Sequence, residues 1–161
     1  MKKVLLTKDL KVKSTSIDEN IHLTDTKEQK QLINNYFMNS LDKKTYTYIT
    51  KELKKKLNGY RQQDIKKDKY NTGLFLNIEE LVDKLVGSKL KCFYCKTDVR
   101  LLYNYARDPL QWTLDRKNNN VGHSNDNTVI CCLKCNLQRR TQNMDKFMFT
   151  KNLKIMKINE N

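Results

Sequence analysis

The chain has 161 residues, with 32 Lys and Arg against 18 Asp and Glu, and a formal net charge of +14. This length allows one ordinary domain or a small metal-bound module with a helical companion, and the charge predicts a polyanionic partner such as nucleic acid, because each Lys or Arg on a phosphate releases condensed counterions. A compositional bias towards Lys and Asn is the alternative explanation of the charge. The lack of a long apolar segment in residues 1–10 excludes a signal peptide or a membrane span there.

The first part of the chain is predicted to be a polar arm, residues 1–23, followed by a helical region, residues 24–89. Asp25 and Glu28 have the spacing of a capping box, which predicts a first helix. The buried stripe of this helix would consist of Leu32, Ile33, Tyr36, Phe37 and Leu41.

A second helix is predicted from apolar residues at intervals of four, and its end is predicted at Gly59. The apolar residues are Ile49, Leu53 and Leu57. Its lysine cluster fits a solvated face better than a dedicated DNA contact. The cluster consists of Lys51, Lys54, Lys55 and Lys56.

The next segment, residues 64–71, is charged and is predicted to lie on the surface. Asn77 and Glu80 then repeat the capping-box pattern, which predicts a third helix that ends near Gly87. Its apolar residues are Ile78, Leu81, Val82 and Leu85.

Between residues 90 and 150 the pattern changes to short elements. They are a strand at 111–114, a loop at 117–127, a strand at 128–131 and a helix from Cys135. One side of that helix would carry Leu137, Met144 and Met148. With a basic tail at residues 151–161, the elements predict an α+β fold, in which an N-terminal helical region precedes a small metal-bound domain.

The cysteines predict a zinc site, because two Cys-x-x-Cys pairs can close a tetrahedral thiolate site around a structural Zn²⁺. The predicted ligands are Cys92, Cys95, Cys132 and Cys135. Cys131 competes for one position, but only Cys132 leaves the two-residue gap of a knuckle. Clustered cysteines without an export signal favour a reducing compartment, so we expect a soluble intracellular protein of the cytoplasm or nucleus.

Two hard oxygen donors lie beside these cysteines. Asp115 ends the first predicted strand, and Asn136 directly follows the last cysteine. If the zinc holds strand and helix together, the two side chains can converge on a second, harder cation such as Mg²⁺ or Mn²⁺. The alternative is that Asp115 caps a turn and Asn136 caps the helix.

The run Leu114-Asp115-Arg116, Gly122-His123, Asp126-Asn127 and Cys132-x-x-Cys135-Asn136 resembles the zinc-stapled HNH endonucleases, which have a ββα-metal core. The resemblance covers residues 90–150. It implies a metal-dependent endonuclease that hydrolyses phosphodiester bonds in DNA and leaves 5′-phosphate and 3′-hydroxyl ends. It also implies that Asp115 and Asn136 bind the catalytic metal and that Asn127 orders the hairpin through backbone hydrogen bonds.

The chain departs from that family at Arg116, where a His usually acts as general base. A guanidinium stays protonated and cannot take a proton from water, although its planar fork suits the scissile phosphate. His123 is the best local candidate for the base, with contact to phosphate or solvent as the alternative. Tyr103 and Tyr105 are weaker candidates. Flanking phosphates would contact Lys134, Arg139, Arg140 and Lys146.

The expected partner is double-stranded DNA, with RNA as the alternative. No membrane partner is expected, and a homodimer is one of the oligomeric states left open. A zinc knuckle that binds nucleic acid but has lost catalysis with the usual His is the main competing interpretation, and a zinc-held protein-interaction domain is another. The retained Asp115 and Asn136 favour the enzyme, since a pure binder needs no hard-metal pair. The composition would suit a large DNA virus or phage.

Overall fold

The computed structural model describes residues 25–153 of the chain. Within this range the fold is α+β, with five helices and one antiparallel sheet of two strands. The elements are α1 (Thr26–Phe37), α2 (Lys43–Lys66), α3 (Ile78–Gly87), β1 (Trp112–Arg116), β2 (Thr128–Cys132), α4 (Leu133–Arg139) and α5 (Met144–Asn152). The predicted arm, residues 1–23, and most of the predicted tail, residues 151–161, lie outside the described residues.

Helix α1 begins after Asp25, whose carboxylate accepts a hydrogen bond from a backbone N–H of the first turn. Ile33 and Tyr36 are buried, as predicted. The predicted burial of Phe37 is wrong: this side chain is 52% exposed, because the helix ends there and the chain turns away. Leu41 lies beyond the helix and packs only partly against the core.

Helix α2 passes through Gly59 and continues to Lys66, so its predicted end at Gly59 is wrong. A glycine inside a helix costs about 1 kcal/mol relative to alanine, and the burial of the Tyr60 ring, together with the hydrogen bonds between Asp64 and His123, offsets this. The predicted exposure of residues 64–71 is therefore wrong at its first residue, since Asp64 is only 1% exposed.

The predicted solvated face of α2 is confirmed for three of its four lysines, but Lys56 differs. Its ammonium group donates hydrogen bonds to Gln111 Oε1 at 2.9 Å and to the Trp112 carbonyl oxygen. It also lies 4.4 Å from the centre of the Trp112 ring, a cation–π contact. Lys56 therefore ties α2 to the start of β1.

Helix α3 has the predicted capping box. Asn77 Oδ1 accepts from the Glu80 backbone N–H, and Glu80 Oε2 accepts from the Asn77 backbone N–H, both at 2.9 Å. The helix ends at Gly87, as predicted.

Strands β1 and β2 form a hairpin around the predicted loop, residues 117–127. In their antiparallel register Leu114 faces Ile130 and Asp115 faces Val129. Leu114 and Ile130 belong to one hydrophobic core that also takes in side chains of α1, α2 and α3. The helical region thus packs directly on the hairpin.

The helix predicted from Cys135 is two helices, because the chain leaves α4 at Arg140, whose φ is +51°, and begins α5 at Met144. The predicted common side of Leu137 with the methionines is therefore wrong, and Leu137 is 61% exposed. Phe147 anchors α5 by packing edge-on against Tyr94 at 4.9 Å. None of the helices within residues 25–153 is both long and apolar enough to cross a membrane.

Candidate functional site

Four cysteines meet where β2 joins α4. The Sγ atoms of Cys92, Cys95, Cys132 and Cys135 all lie within 4.8 Å of one another. We call this group the cysteine cluster. A tetrahedral ion with Zn–S bonds of about 2.3 Å places its sulfurs about 3.8 Å apart, and Cys95 Sγ lies 3.9 Å from Cys132 Sγ. The cluster could hold a metal ion such as zinc.

The fifth cysteine stays outside the cluster. Cys131 is buried on β2 with its thiol 3.2 Å from Thr113 Oγ1, while Cys132, the next residue, caps α4 and accepts from the Cys135 backbone N–H at 3.4 Å. Successive strand residues point to opposite faces, which separates the two neighbours. The Cys-x-x-Cys spacing therefore correctly identifies Cys132, and not Cys131, as a member of the cysteine cluster.

The thiols of the cysteine cluster shift one another's pKa values in opposite directions. The hydrogen bond from Cys132 lowers the pKa of Cys92, whereas the same contact, together with burial, raises the pKa of Cys132. Several thiolates in so small a space repel one another, so a fully deprotonated cluster needs a cation among its sulfurs.

The hairpin loop is organised by Asn127. Its side-chain oxygen accepts from the Asn118 backbone N–H at 2.9 Å, and its amide nitrogen donates to the carbonyl oxygens of Asn118 and Gly122 at 2.9 and 3.0 Å. These bonds set the path of the loop that carries His123.

Asp115 forms a buried ion pair. Both of its oxygens accept from Arg139 Nη1 at 2.8 Å, and Oδ2 also accepts from the Tyr94 hydroxyl at 2.5 Å. Arg139 is only 2% exposed and donates further bonds to backbone oxygens of Arg116 and Lys117. The predicted phosphate contact by Arg139 is therefore wrong, because its guanidinium is already used to neutralise Asp115 inside the protein.

Asn136 lies in the first turn of α4, beside β1. Its amide nitrogen donates to Thr113 Oγ1 at 3.1 Å and to the Leu114 carbonyl oxygen at 3.3 Å. No residue in the described part of the chain donates to its side-chain oxygen. The oxygens of Asn136 and Asp115 fit a divalent cation in donor type, and such a cation would share the Asp115 carboxylate with Arg139.

His123 is paired with a carboxylate that lies outside the predicted site. Its Nδ1 is 2.7 Å from Asp64 Oδ1, and its backbone N–H donates to Asp64 Oδ2 at 2.6 Å. Burial lowers the pKa of His123 below its ordinary value, and the Asp64 carboxylate opposes this shift. The predicted end of α2 at Gly59 places Asp64 on the surface, whereas continuing the stripe of Leu53 and Leu57 for two more turns places it on the buried face.

The other candidate residues separate into two groups. Arg116 lies at the end of β1 with Nη1 4.0 Å from Asp64 Oδ1, beside the His123 pair. Tyr103 is turned towards Lys56, and burial raises the pKa of its phenol, which opposes a role as base. Tyr105 is exposed. Neither tyrosine lines the groove that holds His123.

That groove is an open cleft of about 840 Å³ between the end of α2, the hairpin and α4. Asp115, Arg116, His123 and Asn136 all line it. Its other charged lining residues are cationic: Lys67, Lys69, Arg107 and Arg140. Lys134 and Lys146 are exposed but lie outside the lining. A cleft of this charge can accept a polyanion along its length.

Gly122 allows the hairpin loop to pack on α2. A Cβ atom at this position would lie 2.4 Å from the Lys69 carbonyl oxygen and 2.7 Å from Asp64 Oδ2. Because a backbone oxygen cannot move aside freely, we expect Gly122→Ala to lower the free energy of unfolding by about 1–3 kcal/mol, as measured by urea denaturation. Gly59→Ala, with no atom within 4 Å of the new Cβ, is the control and should raise stability slightly. Equal stabilities of the Gly122 variant and the parent would contradict the packing described.

Comparison with known proteins gives no match to this chain, neither to a family model nor to a curated protein or a solved structure.

Proposed function

We propose that this protein is a metal-dependent endonuclease of the HNH type that hydrolyses phosphodiester bonds in double-stranded DNA. The observation that carries the proposal is the groove itself. One carboxylate, one amide, one imidazole and one guanidinium, from Asp115, Asn136, His123 and Arg116, line a single cleft whose remaining charged residues are cationic. Phosphodiester hydrolysis needs this combination of a hard-metal pair, a proton acceptor and a phosphate-binding cation.

The roles of the side chains follow from their chemistry. His123 accepts the proton of the attacking water, and Arg116 balances the negative charge that develops on the phosphate. Mg²⁺ or Mn²⁺ held by Asp115 and Asn136 would supply Lewis-acid stabilisation of the leaving oxygen. Lys67, which caps the end of α2, and Arg140, which caps the end of α4, hold flanking phosphates without reading sequence.

The cysteine cluster has a supporting role in this proposal. Cys132 and Cys135 lie at the junction of β2 and α4, and Asn136 follows directly. A metal ion there would fix the start of α4 against the hairpin and so hold Asn136 near β1. Such a structural site needs no open coordination position.

One observation favours a second candidate function, a nucleic-acid-binding module without catalysis. The charge of Asp115 is already balanced by the buried guanidinium of Arg139 at 2.8 Å. A carboxylate satisfied in this way has less affinity for a cation. The basic groove would then bind nucleic acid, and the ion pair would be a structural element.

A plasmid assay separates the two functions. The parent protein with Mg²⁺ or Mn²⁺ is expected to nick supercoiled DNA, and Asn136→Ala is expected to slow nicking by about 10²-fold or more. Gln138→Ala is the matched control, an exposed amide on the same helix that does not line the groove, and it should cleave at the parent rate. A parent that shifts the plasmid in a gel but never nicks it would contradict the enzyme and favour the binding module.

A further inference from the structure

We propose that Asp64, in α2, is a positioning residue for His123. It holds the imidazole with its proton on Nδ1 and leaves Nε2 as the proton acceptor. This inference rests on the proposed nuclease function and deepens it, because it assigns the tautomer and the partner of the base. It also gives the N-terminal helical region a part in the chemistry.

The hydrogen bonds at Asp64 favour one tautomer of His123. Asp64 uses both oxygens on one residue, with Oδ2 accepting from the His123 backbone N–H at 2.6 Å and Oδ1 lying 2.7 Å from Nδ1. The backbone N–H already makes this carboxylate an acceptor, and a carboxylate accepts hydrogen bonds through both oxygens, so we assign Nδ1 as the donor. The neutral imidazole then has its lone pair on Nε2.

The pair is enclosed, which keeps its geometry fixed. Asp64 is 1% exposed and His123 is 4% exposed. The centroid of the Tyr60 ring lies 4.7 Å from the centroid of the imidazole, so Tyr60 covers the imidazole from α2. The absence of a side chain at Gly122 lets the loop approach, since a Cβ there would lie 2.7 Å from Asp64 Oδ2.

The charges around His123 suit a proton acceptor. Asp64 faces it from α2, Arg116 from β1, and Lys67 from the end of α2. Burial lowers the pKa of the imidazole, the two cations lower it further, and Asp64 opposes them. Burial and the two cations therefore favour the neutral ring, and the carboxylate stabilises the charge that appears when a proton arrives.

A purely structural tie between α2 and the loop is the competing explanation, and Asp64→Asn separates the two. The amide oxygen would keep the bond from the His123 backbone N–H, which turns the amide nitrogen towards Nδ1. That nitrogen can only donate, so the proton moves to Nε2 and the acceptor is lost. The fold keeps its hydrogen bonds in this variant, but the tautomer is reversed.

The test combines the nicking assay with ¹⁵N NMR of the imidazoles, in which only two histidines, His22 and His123, give signals. We expect the Nδ1–H tautomer of His123 in the parent and the Nε2–H tautomer in Asp64→Asn. Nicking by the variant should be about 10²-fold slower or more, with metal content and plasmid binding unchanged. Asp68→Asn removes the same charge from an exposed position and should match the parent.

The outcomes distinguish this inference from the proposed function. Parent-like nicking by Asp64→Asn, while Asn136→Ala is slow, overturns the inference and leaves the nuclease intact. An Nε2–H tautomer in the parent also overturns it, even if the variant fails to fold. A parent that never nicks DNA overturns the proposed function and this inference together.

Discussion

Replacing Cys135 by serine is expected to abolish zinc binding and to unfold the hairpin together with α4. Structural zinc sites contribute about 10–16 kcal/mol to the folding of small domains at pH 7, whereas a whole domain is stable by only about 5–15 kcal/mol. The parent should contain one zinc ion per chain by elemental analysis. The variant should contain none and should lose the dispersed amide signals of β1 and β2 in an NMR spectrum.

Cys131→Ser provides the matched control for that prediction. Cys131 is as buried as three of the four cysteines of the cluster and adjacent to one of them, but its thiol lies beside Thr113 and outside the cysteine cluster. We expect this variant to keep one zinc ion and the hairpin signals. Loss of zinc from both variants alike, or a parent that folds without zinc, would contradict the assignment of the four ligands.

Replacing Arg139 by alanine is expected to lower the free energy of unfolding by about 3–5 kcal/mol. The substitution leaves the Asp115 carboxylate buried without its cation, and it also removes the donors to the carbonyl oxygens of Arg116 and Lys117. Removing one member of a buried pair costs more than the pair contributed, because the remaining charge is desolvated and uncompensated. Urea denaturation, followed by circular dichroism, measures the change.

The next residue supplies the control. Arg140 is exposed and lines the groove, so Arg140→Ala should leave stability within about 0.5 kcal/mol of the parent. It should instead weaken plasmid binding and reduce the salt dependence of that binding, since one phosphate contact is lost. An Arg139 variant that is as stable as the parent but binds DNA less well would show that Arg139 faces nucleic acid and not Asp115.

Patterns that depend on local geometry could be predicted from the sequence. The capping box of Asn77 and Glu80 involves residues three apart, and the Cys-x-x-Cys spacing brings two thiols together within one turn. The preference for Cys132 over Cys131 follows from the same local spacing. In these cases the partners are neighbours in the chain, so few other arrangements compete.

The candidate site was predicted less completely, because its partners come from distant parts of the chain. The sequence placed Asp115, His123 and Asn136 in one motif, and the structure places them in one groove. The sequence did not show that Asp64 would contact His123 across 59 positions. Nor did it show that Arg139 would point inward to Asp115 instead of outward to a phosphate. The local sequence pattern around Asp64 and Arg139 is equally compatible with a solvent-exposed side chain, so it does not predict their burial.

The sequence by itself determined where α1 and α3 begin, the two strands of the hairpin and the two Cys-x-x-Cys pairs, since each of these depends on spacing within a few residues. Only the tertiary structure decided which charges are buried and which partners they meet. A glycine ends many helices, but at Gly59 the burial of Tyr60 and the hydrogen bonds between Asp64 and His123 outweigh its local preference. Burial removes water from a charge and makes one specific partner necessary, and that partner is chosen by the packing of α2 and α4 on the hairpin.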